Sequence, residues 1–334
     1  MASKTIKIKI ERSTRMADSW LQVAVHKKYL LAEDILGLEL KAIQGETLPP
    51  VEAGAHIDVK LPNGITRKYS LTNAPDEVGV YKLGILLDPN SRGGSAYIHR
   101  ELRQGDELLI SVPCNYFPLV DSEHALLFAG GIGITPIFAM AESLYQSGKS
   151  FELHYACRSE SKAAFLKTLL VKPWADRVSF YFNDANQKID AEALIFDAEM
   201  TTHLYCCGPS GFINWINDVA VKQRWHADRI HFERFNMKKS ETPSQESEFE
   251  IRLQRSDKVI EVGVDQTVAQ TLLDHGIDVA MSCEQGICGS CMIPVLEGTP
   301  DHRDMFQSEA EKKRNHQFTP CCSRSHSQTL VLDI

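Results

Sequence analysis

Residues 281–295 read MSCEQGICGSCMIPV, and the cysteines in this stretch follow a C-x4-C-x2-C spacing. They are Cys283, Cys288 and Cys291, and Cys321 follows 30 residues after the last of them. This spacing is typical of plant-type [2Fe–2S] centres, in which four thiolates hold two irons. We therefore predict that these four cysteines bind a [2Fe–2S] cluster.

Other interpretations of the cysteines stay open at this point. Four inert buried thiols are one, and a zinc site is another, although zinc sites usually show paired C-x2-C knuckles. The fourth ligand is also ambiguous, because Cys321 is followed directly by Cys322. We favour Cys321 and expect Cys322 to be a small core residue. Gly286 and Gly289 are expected to let the loop wrap closely around a cluster.

Composition limits the class of partner. The chain has 334 residues, which suggests two or three domains, and a net charge of −8. From Glu248 onward there are 14 acidic and 8 basic side chains, so this segment alone carries −6. An acidic segment of this kind argues against binding nucleic acid and favours docking to a basic protein surface.

No targeting or membrane segment is expected. No apolar run reaches the roughly 18–20 residues that a membrane span needs, and residues 125–140 are interrupted by glycines and a proline. The first 17 residues are basic without an apolar core, which does not fit a secretory signal. The cysteine pattern does not indicate a secreted disulfide framework, so we expect a reducing, cytoplasmic setting.

Three patterns follow one another along the chain and predict a multi-domain protein. Residues 18–118 contain short alternating runs broken by turns, which favours an antiparallel β-barrel. In residues 119–236 apolar strands alternate with helical stretches, which predicts a doubly wound parallel α/β domain. Residues 237–247 are polar and are expected to form a linker. Residues 248–334 are expected to be a small α+β domain around the cysteine loop.

Two motifs in the predicted barrel could hold a phosphorylated, aromatic cofactor such as a flavin. In RKYSL, Arg67 offers a fork to a phosphate, Tyr69 a ring that could pack on a flavin, and Ser70 a hydroxyl for a ring nitrogen. The second motif precedes a helical stretch, where glycines expose amides to an anion and its serine is expected to cap the helix. Its residues are Arg92, Gly93, Gly94 and Ser95.

Two glycine-containing turns in the predicted α/β domain are candidates for binding a dinucleotide. Turns of this kind let a pyrophosphate approach a helix N-terminus, and both would open at the carboxyl edge of a parallel sheet. The first contributes Gly130, Gly131, Gly133, Thr135 and Pro136, and the second contributes Cys207, Gly208 and Pro209. We expect Cys207 to lie beside a nicotinamide ring, with a buried structural cysteine as the alternative.

The choice between NADH and NADPH depends on residues that follow two predicted strands. Asp184 follows VSFYFN, and a carboxylate at that place favours a free ribose hydroxyl over a 2′-phosphate. Arg158 and Ser159 end the preceding strand and could instead serve a phosphate. The sequence therefore favours NADH without excluding NADPH.

Together these motifs resemble the phthalate dioxygenase reductase family, the class IA reductases of Rieske-type oxygenase systems. The resemblance covers nearly the whole chain from about residue 20 and rests on RKYSL, SRGGS, AGGIGITP, CGPSGF, HFERF, CEQGICGSC and PCCSR. The order of flavin, nucleotide and ferredoxin segments is the same. One departure is Cys114, where relatives often have a basic residue.

The resemblance implies FMN, bound by the RKYSL strand and the GGS turn, and a β-grasp ferredoxin domain. It implies hydride transfer from NADH to FMN, in which Ser70 and Cys207 are catalytic, and single-electron transfer through the cluster to a terminal Rieske-type oxygenase. Glu233 and Phe235 of HFERF fall where the family closes the flavin face. The competing hypotheses are an FAD-containing reductase that serves another monooxygenase or acceptor, and a redox sensor without turnover.

Overall fold

A computed structural model describes residues 20–43, 47–89, 93–235, 247–264, 266–281, 286, 289–304 and 306–334. Three main sheets follow one another along the chain, as the sequence patterns predict. The linker predicted at 237–247 lies outside the described residues except for Ser247. The domain limits given above therefore stay predictions.

The first sheet is an antiparallel barrel. Its elements are β1 (Leu21–Ala32), β2 (Ile35–Ala42), β3 (His56–Lys60), β4 (Thr66–Ser70), β5 (Tyr81–Leu86), α1 (Gly94–Arg100) and β6 (Glu107–Ile110). The strands run in the order β4-β3-β6-β1-β2-β5, and a bridge between Leu71 and Leu83 joins the two ends. Alternating side chains such as Val23 and Val25 fill the interior, and Ile98 of α1 packs among them.

The second sheet is parallel throughout. Its elements are β7 (His124–Gly130), α2 (Ile134–Gln146), β8 (Ser150–Cys157), α3 (Leu166–Leu169), β9 (Val178–Phe182), α4 (Ala191–Phe196), β10 (Thr202–Gly208), α5 (Ser210–Lys222) and β11 (Ile230–Arg234). The strand order is β11-β10-β7-β8-β9, and separate apolar cores cover the two faces. This is the predicted doubly wound arrangement, so all five carboxyl ends lie at one edge.

The third sheet has the β-grasp arrangement, in which one helix packs across a mixed sheet. Its elements are β12 (Phe249–Leu253), β13 (Lys258–Val262), α6 (Val268–Asp274), β14 (Ile293–Glu297), β15 (Pro300–Asp301), α7 (Glu309–Lys312), β16 (Gln317–Phe318), β17 (Arg324–Ser325) and β18 (Thr329–Leu332). The order is β13-β12-β18-β14-β16, with β15 and β17 paired separately. Strands β12 and β18 are parallel, and α6 begins at a Thr267 cap that accepts from the Gln270 amide at 3.1 Å.

In the part of the chain that the structure describes, no helix is long and apolar enough to cross a membrane.

Candidate functional site

The cysteine loop passes too close to neighbouring chain for side chains at its glycines. Gly286 and Gly289 have φ of 70° and 69°, the left-handed region that favours glycine. A Cβ on Gly286 would overlap Cys322 Sγ and lie 3.1 Å from Asp304 Cα, and one on Gly289 would lie 2.5 Å from the Phe306 ring. These two glycines therefore pack closely on neighbouring residues, and the wrapping of the loop around a cluster stays a prediction.

Of the four predicted cluster ligands, Cys283 and Cys288 lie outside the described residues. Cys291 and Cys321 are both buried, and hydrogen bonding with Cys291, and then with Cys322, raises the pKa of the Cys321 thiol. Cys322 is half-buried and lies 3.4 Å from Thr319 Oγ1 within its own turn.

These features fit a thiolate-bound cluster. Buried thiols that face each other, near the closely packed Gly286 and Gly289, form a suitable donor set. Bound metal would hold these thiols deprotonated. Cys283 and Cys288 are not among the residues that the structure describes. Within the described residues, no group of three or more side chains that could ligate a metal occurs. The choice of Cys321 over Cys322 stays a prediction.

The structure brings the arginine of the RKYSL strand onto the glycine turn. A Cβ on Gly94 would lie 2.6 Å from Arg67 Cγ and 3.0 Å from its Nε, so only glycine leaves room for this guanidinium. Gly93, with φ of 96°, precedes α1. A cation and the start of a helix thus share one concave corner, which suits a phosphate group. Arg92 lies outside the described residues.

The prediction that Ser95 caps this helix is wrong. Helix α1 begins at Gly94, its N-cap residue is the left-handed Gly93, and no side chain caps it. Ser95 therefore lies within the first turn, where its Oγ accepts a hydrogen bond from the Asp88 amide at 3.2 Å. The error arose because Gly93, in the left-handed conformation that glycine adopts easily, starts the helix two residues earlier than a Ser95 cap would.

Tyr69 and Ser70 leave β4 on opposite sides, as neighbouring strand residues do. The Tyr69 ring packs against the barrel core, and burial raises the pKa of its hydroxyl. Ser70 is 5% exposed and its Oγ donates to Glu233 Oε2 at 3.3 Å. This hydrogen bond joins the barrel to the edge strand of the parallel sheet.

Glu233 and Cys207 are direct register partners on β11 and β10. Burial raises the pKa of Glu233 to about 7, against opposing effects of Lys68 and Ser70. Cys207 is fully buried, and its burial, followed by the Glu233 charge, raises the pKa of its thiol. The predicted catalytic residues Ser70 and Cys207 therefore both lie next to a carboxyl that titrates near neutral pH.

The two glycine turns of the parallel sheet interlock. A Cβ on Gly130 would lie 2.9 Å from Pro209 Cδ, and one on Gly208 would lie 3.0 Å from Gly130 Cα. Gly133 is packed so closely on the Cys207 carbonyl that it too leaves no room for a side chain. Both turns thus meet at the carboxyl edge, where the backbone is bare enough for a pyrophosphate to approach.

The remaining residues of the first turn shape the start of α2. Gly131 has φ of 54° and open space at its Cβ position. Thr135 and Pro136 are buried, and Thr135 Oγ1 donates to the Ile132 carbonyl at 3.0 Å. These contacts fix the turn, and the role of Thr135 in binding a dinucleotide stays a prediction.

Both candidates for recognising the ribose lie at this same edge. Asp184 is exposed in the short helical turn after β9, and its amide donates to the Arg158 carbonyl at 3.0 Å. Because the backbones of Asp184 and Arg158 are joined here, both side chains start from the same place, and the preference for NADH stays a prediction. Phe235 is half-buried and packs against the core of the parallel sheet.

Sequence reasoning missed a polar group beside Ser70. Lys68 Nζ lies 2.6 Å from His56 Nε2, and burial, then Lys68, lowers the pKa of His56 to about 3. The imidazole is therefore neutral, and Nε2 accepts from the ammonium. Lys68 also lies 5.5 Å from the centre of the Tyr116 ring. The signal was available, because residues two apart in RKYSL share a side of the strand.

Comparison with known proteins supports this assembly. Residues 251–326 match the family model described as a 2Fe-2S iron-sulfur cluster binding domain. The chain is 48% identical over 317 residues to a vanillate O-demethylase oxidoreductase of Pseudomonas sp. (strain HR199 / DSM 7063), covering 94% of this chain and 100% of that protein. It is 35% identical over 326 residues to the phthalate dioxygenase reductase of Burkholderia cepacia, covering 96% and 100% respectively.

A solved structure of phthalate dioxygenase reductase, described as modular for electron transfer from pyridine nucleotides to [2Fe-2S], superposes with a TM-score of 0.74. It shares 36% identity and covers 94% of this chain and 98% of its own. The order of the three sheets, the flavin-type strand, the nucleotide edge and the cysteine loop thus all occur together in one family. The chain belongs to the phthalate dioxygenase reductase family of oxygenase reductases.

Proposed function

We propose that this protein is the reductase component of an oxygenase system, and that it takes hydride from NADH onto FMN and passes single electrons through a [2Fe–2S] cluster to a terminal Rieske-type oxygenase. A bound flavin would supply the conversion between two-electron and one-electron chemistry, since hydride carries two electrons and the cluster accepts one. The protein's part is to hold the donors and acceptors in order.

The observation that carries the proposal is the contact between Ser70 and Glu233. It brings the end of the flavin-type strand against the carboxyl edge that carries Cys207 and the interlocked glycine turns. A flavin held by the barrel would then face a nicotinamide held by the parallel sheet.

FMN is supported by the short distance between the proposed phosphate site and the strand that would hold the flavin ring. Arg67 lies on Gly94 at the start of α1, so a phosphate here would be held next to the strand that bears Tyr69 and Ser70. We propose that Ser70 orients the flavin ring and that Cys207 and Glu233 border the nicotinamide. Because Glu233 has a pKa of about 7, it can hold or release a proton at the flavin face near neutral pH.

The partner is proposed from the relatives and from charge. The similar vanillate O-demethylase oxidoreductase favours an oxygenase that demethylates an aromatic ether. The charge of −6 from Glu248 onward favours a basic docking surface on that oxygenase. NADH chemistry and cysteines that must stay reduced favour a cytoplasmic setting.

The test begins with acid extraction and mass measurement of the bound flavin, followed by anaerobic mixing with NADH. We expect FMN, and we expect both the flavin and the cluster absorbance bands to bleach. Extraction of FAD would favour the reductase of another monooxygenase, and absence of bleaching would leave only a binding or sensing role.

A variant then separates the two stages. Cys288→Ser is expected to keep hydride transfer to the flavin and to lose reduction of the oxygenase, measured by reconstituted turnover with candidate oxygenases. Full activity of this variant towards the oxygenase would contradict the proposed order of transfer.

A further inference from the structure

Two aromatic side chains connect the barrel to the cysteine loop. Tyr116, in the segment after β6, meets Phe306 edge-on, with ring centres 5.4 Å apart and planes at 84°. The two residues are 190 positions apart in sequence. Tyr116 follows the barrel strands, and Phe306 lies in the β-grasp segment between β15 and α7. Edge-to-face pairs of this geometry are favourable contacts beyond the area that they bury.

On the cluster side, Phe306 lies directly on the loop backbone. A Cβ on Gly289 would be 2.5 Å from the ring, so the ring occupies the space that a side chain there would take. Gly289 stands between the motif cysteines Cys288 and Cys291. Phe306 therefore lies between Gly289 of the cysteine loop and Tyr116.

On the flavin side, Tyr116 is braced by polar neighbours. Its ring centre lies 5.4 Å from that of His56 and 5.5 Å from Lys68 Nζ, and these two bind each other. His56 is the register partner of Ser70 across β3 and β4. A continuous series of contacts thus runs from Gly289 through Phe306, Tyr116 and His56 to the strand that ends at Ser70.

The solvent exposure of Tyr116 distinguishes its contact with Phe306 from ordinary core packing. The Tyr116 residue is 53% exposed, whereas the buried core residues of the barrel are at most 9% exposed. Truncating a surface side chain usually changes the free energy of unfolding little. A ring that is half in solvent, yet fixed by His56, Lys68 and Phe306, contributes mainly to the relative placement of the barrel and the loop.

We propose that Tyr116 and Phe306 are positioning residues that fix the separation between the flavin site and the cysteine loop, and thereby set the rate of electron transfer between them. This inference rests on the proposed function. In the step concerned, one electron leaves the reduced flavin and the same electron reduces the cluster, and no protein bond forms or breaks. Transfer falls steeply as separation grows, so a small shift of the loop slows it.

The test is anaerobic stopped-flow mixing of the loaded full-length protein with NADH, following the flavin and cluster bands separately. We expect Tyr116→Ala and Phe306→Ala to slow cluster reduction severalfold, because electron transfer weakens as the separation between the flavin and the cluster grows. The preceding flavin reduction should change by less than about twofold. Tyr116→Phe, which keeps the ring, should restore the rate.

Two comparisons make the result specific. If the residues act through their mutual contact, the double alanine variant should be no slower than the slower single variant. Tyr145→Ala, which removes a ring of 39% exposure at the end of α2, should leave both rates unchanged. If Phe306→Ala lowers iron content, Tyr116→Ala alone carries the test, because Tyr116 follows the barrel strand β6 and is not part of the cysteine loop in sequence.

A second readout is independent of electron transfer. In a Cys114→Ser background, Tyr116→Cys combined with Phe306→Cys should be joined within one chain by a short bismaleimide, and mass spectrometry should identify the linked peptide. An unchanged rate of cluster reduction in fully loaded Tyr116→Ala, or an equal slowing of flavin reduction, would overturn the proposal. Failure of the unmodified protein to oxidise NADH would instead overturn the proposed function.

Discussion

Replacing Gly286 by alanine tests the geometry of the cysteine loop. The residue has φ of 70°, and a Cβ there would overlap Cys322 Sγ and approach Asp304 Cα to 3.1 Å. The left-handed backbone costs an alanine about 1–2 kcal/mol, and overpacking against the neighbouring chain adds roughly 1–3 kcal/mol. We therefore expect Gly286→Ala to destabilise the loaded protein by about 2–5 kcal/mol and to lower its iron content.

Gly276→Ala is the matched control. Gly276 has φ of 72° in the same part of the chain, and no atom lies within 4 Å of its Cβ position. It carries the backbone cost alone, so the difference between the two variants isolates the overlap, about 1–3 kcal/mol. The assay is urea unfolding followed at the cluster absorbance, together with iron and acid-labile sulfide content.

Cys322→Ala completes this experiment. Removing Sγ relieves the largest overlap, so the variant with both Gly286→Ala and Cys322→Ala should regain iron content relative to Gly286→Ala alone. Cys322→Ala by itself should keep the cluster if Cys321 is the fourth ligand. Equal stability of Gly286→Ala and Gly276→Ala would refute the close approach, and loss of iron from Cys322→Ala would refute the choice of Cys321.

Three further predictions concern the flavin and nucleotide sites. Arg67→Ala should weaken FMN binding by roughly 10–100-fold, because a hydrogen bond to a charged group contributes about 1.5–3 kcal/mol. Fluorescence titration measures the affinity, and Arg67→Lys should give an intermediate value. An unchanged affinity would exclude the phosphate role. The raised pKa of Glu233 should make the apoprotein lose stability as pH rises from about 4.5 to about 7, since the protonated form is favoured only in the folded state. Glu233→Gln should remove this pH dependence in thermal unfolding. Glu250→Gln, on the exposed hairpin, should not remove it. Asp184→Ser should raise kcat/KM for NADPH relative to NADH by roughly tenfold, as expected from about 1.4 kcal/mol of charge repulsion, and an unchanged ratio would favour Arg158 as the determinant.

Local patterns in the sequence were enough to predict the three sheets. The alternation in LQVAVHKKY and HIDVKL, for example, corresponds to β1 and β3, and the apolar runs that end in glycine correspond to β7 and β10. These patterns predict correctly because each element buries a face that its own residues define. The start of α1 was missed by two residues, because the conformation of Gly93 is set by the turn and not by a capping side chain.

The contacts between distant segments could not be predicted in the same way. Cys207 and Glu233 become neighbours through the register of two parallel strands, and that register depends on the whole sheet. The meeting of Tyr116 and Phe306 depends on how the barrel and the β-grasp segment pack. Such contacts carry no periodic signal, so the sequence indicated the ligand groups but not the series of contacts between them.

In the proposed function, one chain holds a two-electron and a one-electron carrier in series. Anaerobic titration of the loaded protein with NADH measures this, because the flavin takes up two electrons and the cluster one. We predict that both bands are fully bleached at about 1.5 NADH per chain, and that Cys288→Ser reaches its end point at about 1.0. An end point of about 1.0 for the unmodified protein, with the cluster band unchanged, would contradict the claim.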